Sequence, residues 1–330
     1  LYQIALTHEQ NMPNHSNSAP CNALYNAIRP TPLTELHHRH FAQRRVRVWV
    51  KRDDLNHPDI SGNKWHKLHY NILAAQNAQK TALLTFGGAY SNHIAATAAA
   101  AKANGLHSIG IIRGDELQNN AKDWGATLNL AQRNGMQLQF ISRADYRLKD
   151  QAPFLAQLQR QYPNAYIVPE GGSNDLAVQG FAPLIHDLEN QCPSWTHLLT
   201  AVGTGGTLAG LVSYAPPKVG RHILGVAVLK QADYLRPQIT QWITQNSPHE
   251  QVNPWQLLGD YHGGGYAKTA PNITAAQSQF EHDFNIPLDP IYTAKLVAGF
   301  YDLLTQNAFK AGDNIIILHT GGLQGRLTKE

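Results

Sequence analysis

Residues His197 to Tyr214 read HLLTAVGTGGTLAGLVSY: a short apolar run, a cluster of glycine and threonine, then a second apolar stretch. A brief apolar run closed by glycines is the mark of a strand buried on both faces and cut off by a tight turn. The same order recurs along the chain. Thr81 to Phe86 runs into Gly87-Gly88 and an alanine-rich helix predicted from about His93 to Asn104, closed by Gly105. Ser108 to Ile112 runs into Arg113-Gly114, Tyr166 to Val168 into Glu170-Gly171-Gly172-Ser173-Asn174, and Asn314 to Leu318 into His319-Thr320-Gly321-Gly322. Strands alternating with helices predict an α/β chain whose largely parallel sheets are flanked by helices. Ligands of such sheets sit beyond the carboxyl ends of the strands, where these loops gather. We expect two domains, a larger one from residues 1–65 and 171–330 and a smaller one from 66–170, with the active site between them.

Composition agrees with a folded chain of that size. The 330 residues are 42% hydrophobic and 15% charged, which excludes disorder over most of the length. The net charge of +4 is mild. The densest basic run, Arg44 to Arg52, is interleaved with Val46, Val48 and Val50 as a strand requires, which argues against a nucleic-acid stripe. No segment nears the ~18 apolar residues of a membrane span. The polar start from Leu1 to Asn17 lacks the regions of a signal peptide. These features predict a cytoplasmic protein with no nucleic-acid or membrane partner, preceded by a loop or arm over the first ~20 residues. Cys21 and Cys192 form no C-x-x-C pair. His37, His38 and His40 have only Glu35 nearby, and His8-Glu9 and His249-Glu250 lack the second histidine of a zinc helix, so no metal site is expected.

The chemistry gathers on the glycine loops. Gly203, Thr204, Gly205, Gly206 and Thr207 follow a strand and open a helix, where close backbone approach, free amides and the helix dipole suit a phosphate. The dinucleotide pattern G-x-G-x-x-G fails at Leu208, and no acidic residue lies between Gly203 and Asp233 to take a ribose hydroxyl. A nicotinamide-dependent oxidoreductase is therefore the weaker alternative, and a small phosphate monoester the stronger. Lys64, beside Gly62 and Asn63 and three residues before Lys67, is placed to have its ammonium disfavoured by burial and a like charge, as a Schiff-base lysine needs. Ser91 and Asn92 in Gly87 to His93 suit either a helix cap or donors to an anion. Tyr266 behind three glycines and Tyr292 in Asp289 to Thr293 are candidate ligand-facing aromatics.

K-R-D-D-L at 51–55, S-G-N-K-W-H-K-L at 61–68, G-G-A-Y-S-N-H at 87–93, the G-T-G-G-T loop, the G-Y and D-P-I-Y-T segments and the terminal H-T-G-G, all in one order over residues ~45 to 325, together resemble the pyridoxal-phosphate enzymes of the 1-aminocyclopropane-1-carboxylate deaminase and D-cysteine desulfhydrase family. The resemblance implies the fold type II, tryptophan-synthase-β-like architecture, a homodimer, and pyridoxal 5'-phosphate held between two domains. It implies Lys64 as the lysine joined to the cofactor and Asn92 as the partner of its 3′ oxygen. Ser91 would face the substrate carboxylate or move a proton, with His93 beside it. Gly203 to Thr207 would hold the phosphate, Tyr292 would stack on the pyridine, Tyr266 would stand near the substrate, and Thr320 would approach the pyridine nitrogen. Thr293 stands where the deaminase proper has a glutamate on that nitrogen. A hydroxyl stabilises a pyridinium less than a carboxylate does, so the electron sink is weaker. We therefore expect a lyase that removes the β substituent of a small amino acid, as a D-cysteine desulfhydrase does, giving a 2-oxo acid, ammonia and sulfide. The alternatives are the cyclopropane deaminase and a non-catalytic cofactor carrier.

Overall fold

The computed structural model describes residues 30–326; the expected N-terminal arm, Cys21 and the His8-Glu9 pair lie outside the described residues. Ten strands run in chain order: β1 Leu33–Leu36, β2 Arg47–Lys51, β3 Ala82–Gly87, β4 His107–Arg113, β5 Gln137–Ile141, β6 Ala165–Ile167, β7 His197–Val202, β8 His222–Ala227, β9 Trp255–Leu258 and β10 Asn314–Leu318. They make a six-stranded sheet in the order β1-β2-β10-β7-β8-β9 and a four-stranded sheet in the order β5-β4-β3-β6. Every pairing is parallel except that of β1 with β2.

β7 and β10 occupy the predicted residues, and each buries every position after its first. A parallel strand covered on both faces needs that continuous apolar run. Helices on the two faces of the large sheet close separate apolar clusters, one around Phe181, Trp195 and Leu208, the other around Phe280, Leu296 and Phe300. Cys192 is buried in the first.

The alanine-rich helix spans Asn92–Ala103, one residue earlier than predicted, because Ser91 is its cap and accepts a hydrogen bond from the Ile94 amide at 3.3 Å. Its side chains from Ile94 to Ala101 are all buried. Small residues on every face let it lie close to the sheet and also against the helix Asn63–Asn77, whose Leu68 and Ile72 share a cluster with Leu83, Ala96 and Ala99. That helix runs unbroken through the expected 65/66 boundary.

The basic run has structural partners. Arg47 grips Glu35 through two hydrogen bonds of 2.7 and 2.9 Å, Arg52 grips Asp54 at 2.9 and 2.8 Å, and Arg44 bonds Asn307. Lys51 is buried and donates to the Thr31 carbonyl (2.7 Å) and Gln191 (2.8 Å). β2 starts at Arg47, because Arg45 takes a left-handed conformation (φ 54°) closing the helix Arg39–Arg44. Among the described residues, no helix is long and apolar enough to cross a membrane.

Candidate active site

The first element of the site is a helix start held in place by a glycine. Asn56 brackets Gly62 from both sides, its Nδ2 donating to the Gly62 carbonyl (3.0 Å) and its Oδ1 accepting from the Gly62 amide (2.8 Å). Gly62 has φ +70°, and a Cβ there would stand 1.9 Å from the Thr320 carbonyl oxygen. Only glycine fits that contact. The Asn63 amide also donates to the Thr320 carbonyl at 3.3 Å, so the helix Asn63–Asn77 begins against the terminal H-T-G-G segment. Lys64, its second residue, faces a cavity of about 590 Å³ lined by loops of both sheets, among them Gly88 after β3 and Gly203 after β7. Burial lowers the Lys64 ammonium to about 8 from the usual 10.5, with the Asp289 carboxylate opposing the shift.

One turn on, Lys67 lies on the same face of the helix. Its Nζ donates to Ser173 Oγ at 2.8 Å and the Gly171 carbonyl at 3.2 Å, with Thr204 Oγ1 at 3.5 Å. Ser173 and Thr204 share a hydrogen bond of 2.6 Å, and Asn63 Nδ2 donates to Thr207 Oγ1 at 2.9 Å. These groups surround the loop at which β7 passes through Gly203, Thr204 and Gly205 into the helix Gly206–Tyr214. Lys67 is only 2% exposed and meets no carboxylate among the described residues. Burial, then the charge of Lys64, pushes its ammonium well below the usual lysine range. Sequence reading treated Lys67 only as a neighbouring charge. The signal that could have found it was its spacing from Lys64 on one helix face.

Opposite stand the tyrosines. Asp289 Oδ1 accepts from the amides of Tyr292 (2.5 Å) and Thr293 (3.1 Å), fixing the start of the helix Thr293–Thr305. A Cβ at Gly203 would come 3.3 Å from Tyr292 Cε1, so the glycine loop and the ring lie close together. Tyr266 meets Tyr292 edge-on at 6.4 Å between centroids and donates its hydroxyl to the Tyr90 carbonyl at 3.2 Å. Burial raises that hydroxyl to about 12. Lys295, fully buried, donates to the carbonyls of Gly265 (2.8 Å) and Val228 (3.2 Å) and so anchors the triple glycine behind Tyr266. Asn92 Oδ1 and Asp289 Oδ2 are buried with no hydrogen-bond partner, and their side chains flank Gly322. Burial raises Asp289 to about 6 against the pull of the loop amides and Lys295.

The cavity thus gathers Lys64, Ser91, His93, Gly203, Thr204, Gly205, Thr207, Tyr266 and Tyr292; Asn92, Gly206 and Thr320 are not part of its lining. A family model described as "Pyridoxal-phosphate dependent enzyme" matches residues 24–321. The chain belongs to this family.

Relatives of this pyridoxal-phosphate enzyme narrow its kind. It is 30% identical over 286 residues to a Klebsiella pneumoniae D-cysteine desulfhydrase, covering 83% of this chain and 86% of that one. It is 27% identical over 298 residues to a bifunctional mitochondrial D-cysteine desulfhydrase/1-aminocyclopropane-1-carboxylate deaminase of Arabidopsis thaliana, covering 86% and 74%. The solved structure of a 1-aminocyclopropane-1-carboxylate deaminase homologue superposes with a TM-score of 0.78 at 25% identity, over 94% of this chain and 96% of that one. A threonine deaminase of Solanum lycopersicum, with a TM-score of 0.63 at 16% identity, over 92% of this chain and 82% of that one, shares the fold. The chain is a fold type II, pyridoxal-phosphate-dependent lyase, and the nicotinamide alternative falls.

The residues present fit such a cofactor. Lys67 is a buried ammonium with only neutral oxygens around it, at a helix start whose first amides have no intrahelical acceptor, and an anion there satisfies both. The two unpartnered buried oxygens of Asn92 and Asp289 mark a polar rim without protein partners. Two expected residues have other duties. His93 lines the cavity, yet its ring nitrogens face Thr85 Oγ1 (2.7 Å) and Thr97 Oγ1 (3.4 Å), and burial holds it neutral, so neither nitrogen is free for a ligand. Thr293 accepts from the Asp289 amide (2.7 Å) and donates to the Asp289 carbonyl (3.1 Å), whereas the Thr320 hydroxyl has no hydrogen bond to a described residue.

Proposed function

We propose that this lyase eliminates the β substituent of a small amino acid, with D-cysteine as the model substrate and a 2-oxo acid, ammonia and sulfide as products. The observation that carries the reading is the pair of lysines on one helix face, Lys64 open to the cavity and Lys67 on the anion loop. The bound cofactor supplies an aldehyde for an amine and a ring that takes up the electrons of the broken Cα–H bond. Lys64 holds the cofactor until substrate displaces it, then removes the α proton in its neutral form. Ser91 and the first amides of the helix Asn92–Ala103 hold the substrate carboxylate. Tyr266, which lines the cavity, would assist either the proton transfer or the leaving group. Lys67 and Gly203 to Thr207 would hold the phosphate, Asn92 would serve the 3′ oxygen and Tyr292 the ring. Thr320 would serve the pyridine nitrogen, since the hydroxyl proton of Thr293 is engaged by Asp289.

Release of ammonia and 2-oxo acid from a panel of D- and L-amino acids plus the cyclopropane substrate tests the proposal. Turnover of D-cysteine is expected. Turnover of the cyclopropane alone would make the deaminase the correct reading, which the name of the bifunctional Arabidopsis relative keeps in view. Cofactor binding without ammonia from any amino acid would make the chain a carrier. We place the enzyme in the cytoplasm as a homodimer acting on a small amino acid, a reading supported by the family resemblance and the mildly charged composition; sedimentation tests the dimer.

The lowered Lys64 value sets a pH dependence. Only the neutral amine attacks an aldehyde, so the rate at which the cofactor-free protein captures pyridoxal phosphate rises with pH and levels off above about 8, well below the 10.5 of an ordinary lysine. Stopped-flow appearance of the visible absorbance of the bound cofactor reads this, and a limb centred near 10.5 would refute the burial argument.

A further inference from the structure

Beyond the groups assigned above, the wall of the cavity at the end of β4 carries a cation with no role. Arg113 ends β4, and its Nη2 lies 3.3 Å from where a Cβ of Gly88 would stand, beside the loop that leads to Ser91. Its guanidinium lies over the Tyr146 ring, 5.7 Å from the centroid. Tyr146 is buried and fixed, donating its hydroxyl to Glu170 Oε1 at 2.7 Å. The neighbouring cation, Lys149, is matched by Asp150 (2.8 Å) and Glu170 (3.4 Å). Arg113 is different: among the described residues it donates no side-chain hydrogen bond and has no carboxylate within 4 Å. Arg52 and Arg221, also drawn in from solvent, each grip a carboxylate. A half-buried guanidinium has lost part of its hydration, and its planar fork is built to bind two oxygens of one anion.

Both anions of the reading above already have receivers, the phosphate at Lys67 and Thr204 and the substrate's α-carboxylate at the helix start behind Ser91. Arg113 lies beside Gly88 on the same cavity wall, close enough to Tyr266 that its charge counters the burial that raises the tyrosine hydroxyl. We propose that Arg113 binds a second anionic group of the substrate, so that the preferred substrates are amino acids carrying a carboxylate beyond the β carbon, attached through the leaving sulfur. This rests on the elimination reading and deepens it. Tyr146 is then a positioning residue that holds the guanidinium flat against the wall, with Glu170 holding Tyr146.

The test uses the holoenzyme and two substrates that differ in one charge, S-carboxymethylcysteine and its neutral isostere S-carbamoylmethylcysteine, in the enantiomer the panel selects. Wild type favours the acid in kcat/KM. Arg113→Ala lowers the acid-to-amide ratio about 30-fold, the size expected for losing a charge-assisted pair, Arg113→Lys lowers it less, and Arg113→Glu reverses the preference. Calorimetry with α-aminoadipate, which keeps both carboxylates but has no leaving group, gives a readout without turnover: its Kd rises about 30-fold in Arg113→Ala. Equal losses for acid and amide would overturn the proposal by assigning Arg113 to the α-carboxylate, and an unchanged ratio with sound turnover would overturn it outright. Arg113-dependent binding of α-aminoadipate with no ammonia from any amino acid would sink the elimination reading and leave the subsite standing.

Discussion

Replacing Lys64 by alanine is expected to abolish the covalent tie to the cofactor and to lower ammonia release by about 10³-fold or more, because one amine serves both as anchor and as base. Borohydride treatment of the wild type should label a single lysine, at position 64, and label none in the variant. Lys67 cannot stand in. Its Nζ is committed to Ser173 and the Gly171 carbonyl and is directed at the threonine loop. The variant should still bind pyridoxal phosphate, since the loop, Lys67 and Tyr292 are intact, and equilibrium dialysis separates that binding from the lost chemistry. A label on Lys67, or turnover that survives the substitution, would show that the wrong lysine has been chosen.

Changing Lys67 to methionine is the second large effect, and its signs oppose. The cofactor Kd should rise about 100-fold, the loss expected for one charge-assisted contact to a phosphate. The cofactor-free protein should become more stable, because an ammonium buried among neutral oxygens costs desolvation that no carboxylate offsets, while methionine fills much the same space. Calorimetric melting without and with saturating cofactor checks both: Tm up in the first case, and a smaller ligand-induced rise in the second. A drop of similar size in both states would mean that Lys67 serves as internal scaffolding.

Much of the fold was readable because its central strands are self-sufficient as text. β7 and β10 are apolar apart from His197, Thr200 and Asn314, so their limits follow the limits of the runs. β1 (LTEL), β5 (QLQFI) and β9 (WQLL) went unread: all three are edge strands with at most one buried position, and only their neighbours decide that they pair; β8 (HILGVA), buried after its first residue, went unread because no glycine cluster closes it. The site divides in the same way. Lys64, Ser91, the Gly203 to Thr207 loop, Tyr266 and Tyr292 announce themselves by glycines or capping residues beside them. Lys67, Lys295 and Arg113 do not, because what makes each unusual is a partner, or the lack of one, far away in sequence; Lys67 acquires its meaning from Ser173 and Thr204. Asp289 stood inside a motif already quoted, yet its importance depends on the two amides that turn back onto it. His93 shows the converse. Its place in a conspicuous motif suggested a ligand contact, but Thr85 and Thr97 hold both of its nitrogens.

The strand order of the larger sheet also bears on how the protein is born. β10, made after every other described strand, lies between β2 and β7. At about 5–20 residues per second, a nascent chain waits roughly 15–50 s between completing β2 and completing the partner that unites it with β7. The smaller sheet, contiguous from Ala82 to Ile167, can assemble meanwhile. Any product that stops short of Asn314 leaves β1 and β2 severed from β7, β8 and β9, and removes the Thr320 carbonyl on which the lysine-bearing helix is seated. Termination just before β10 is therefore as damaging to this protein as loss of its centre.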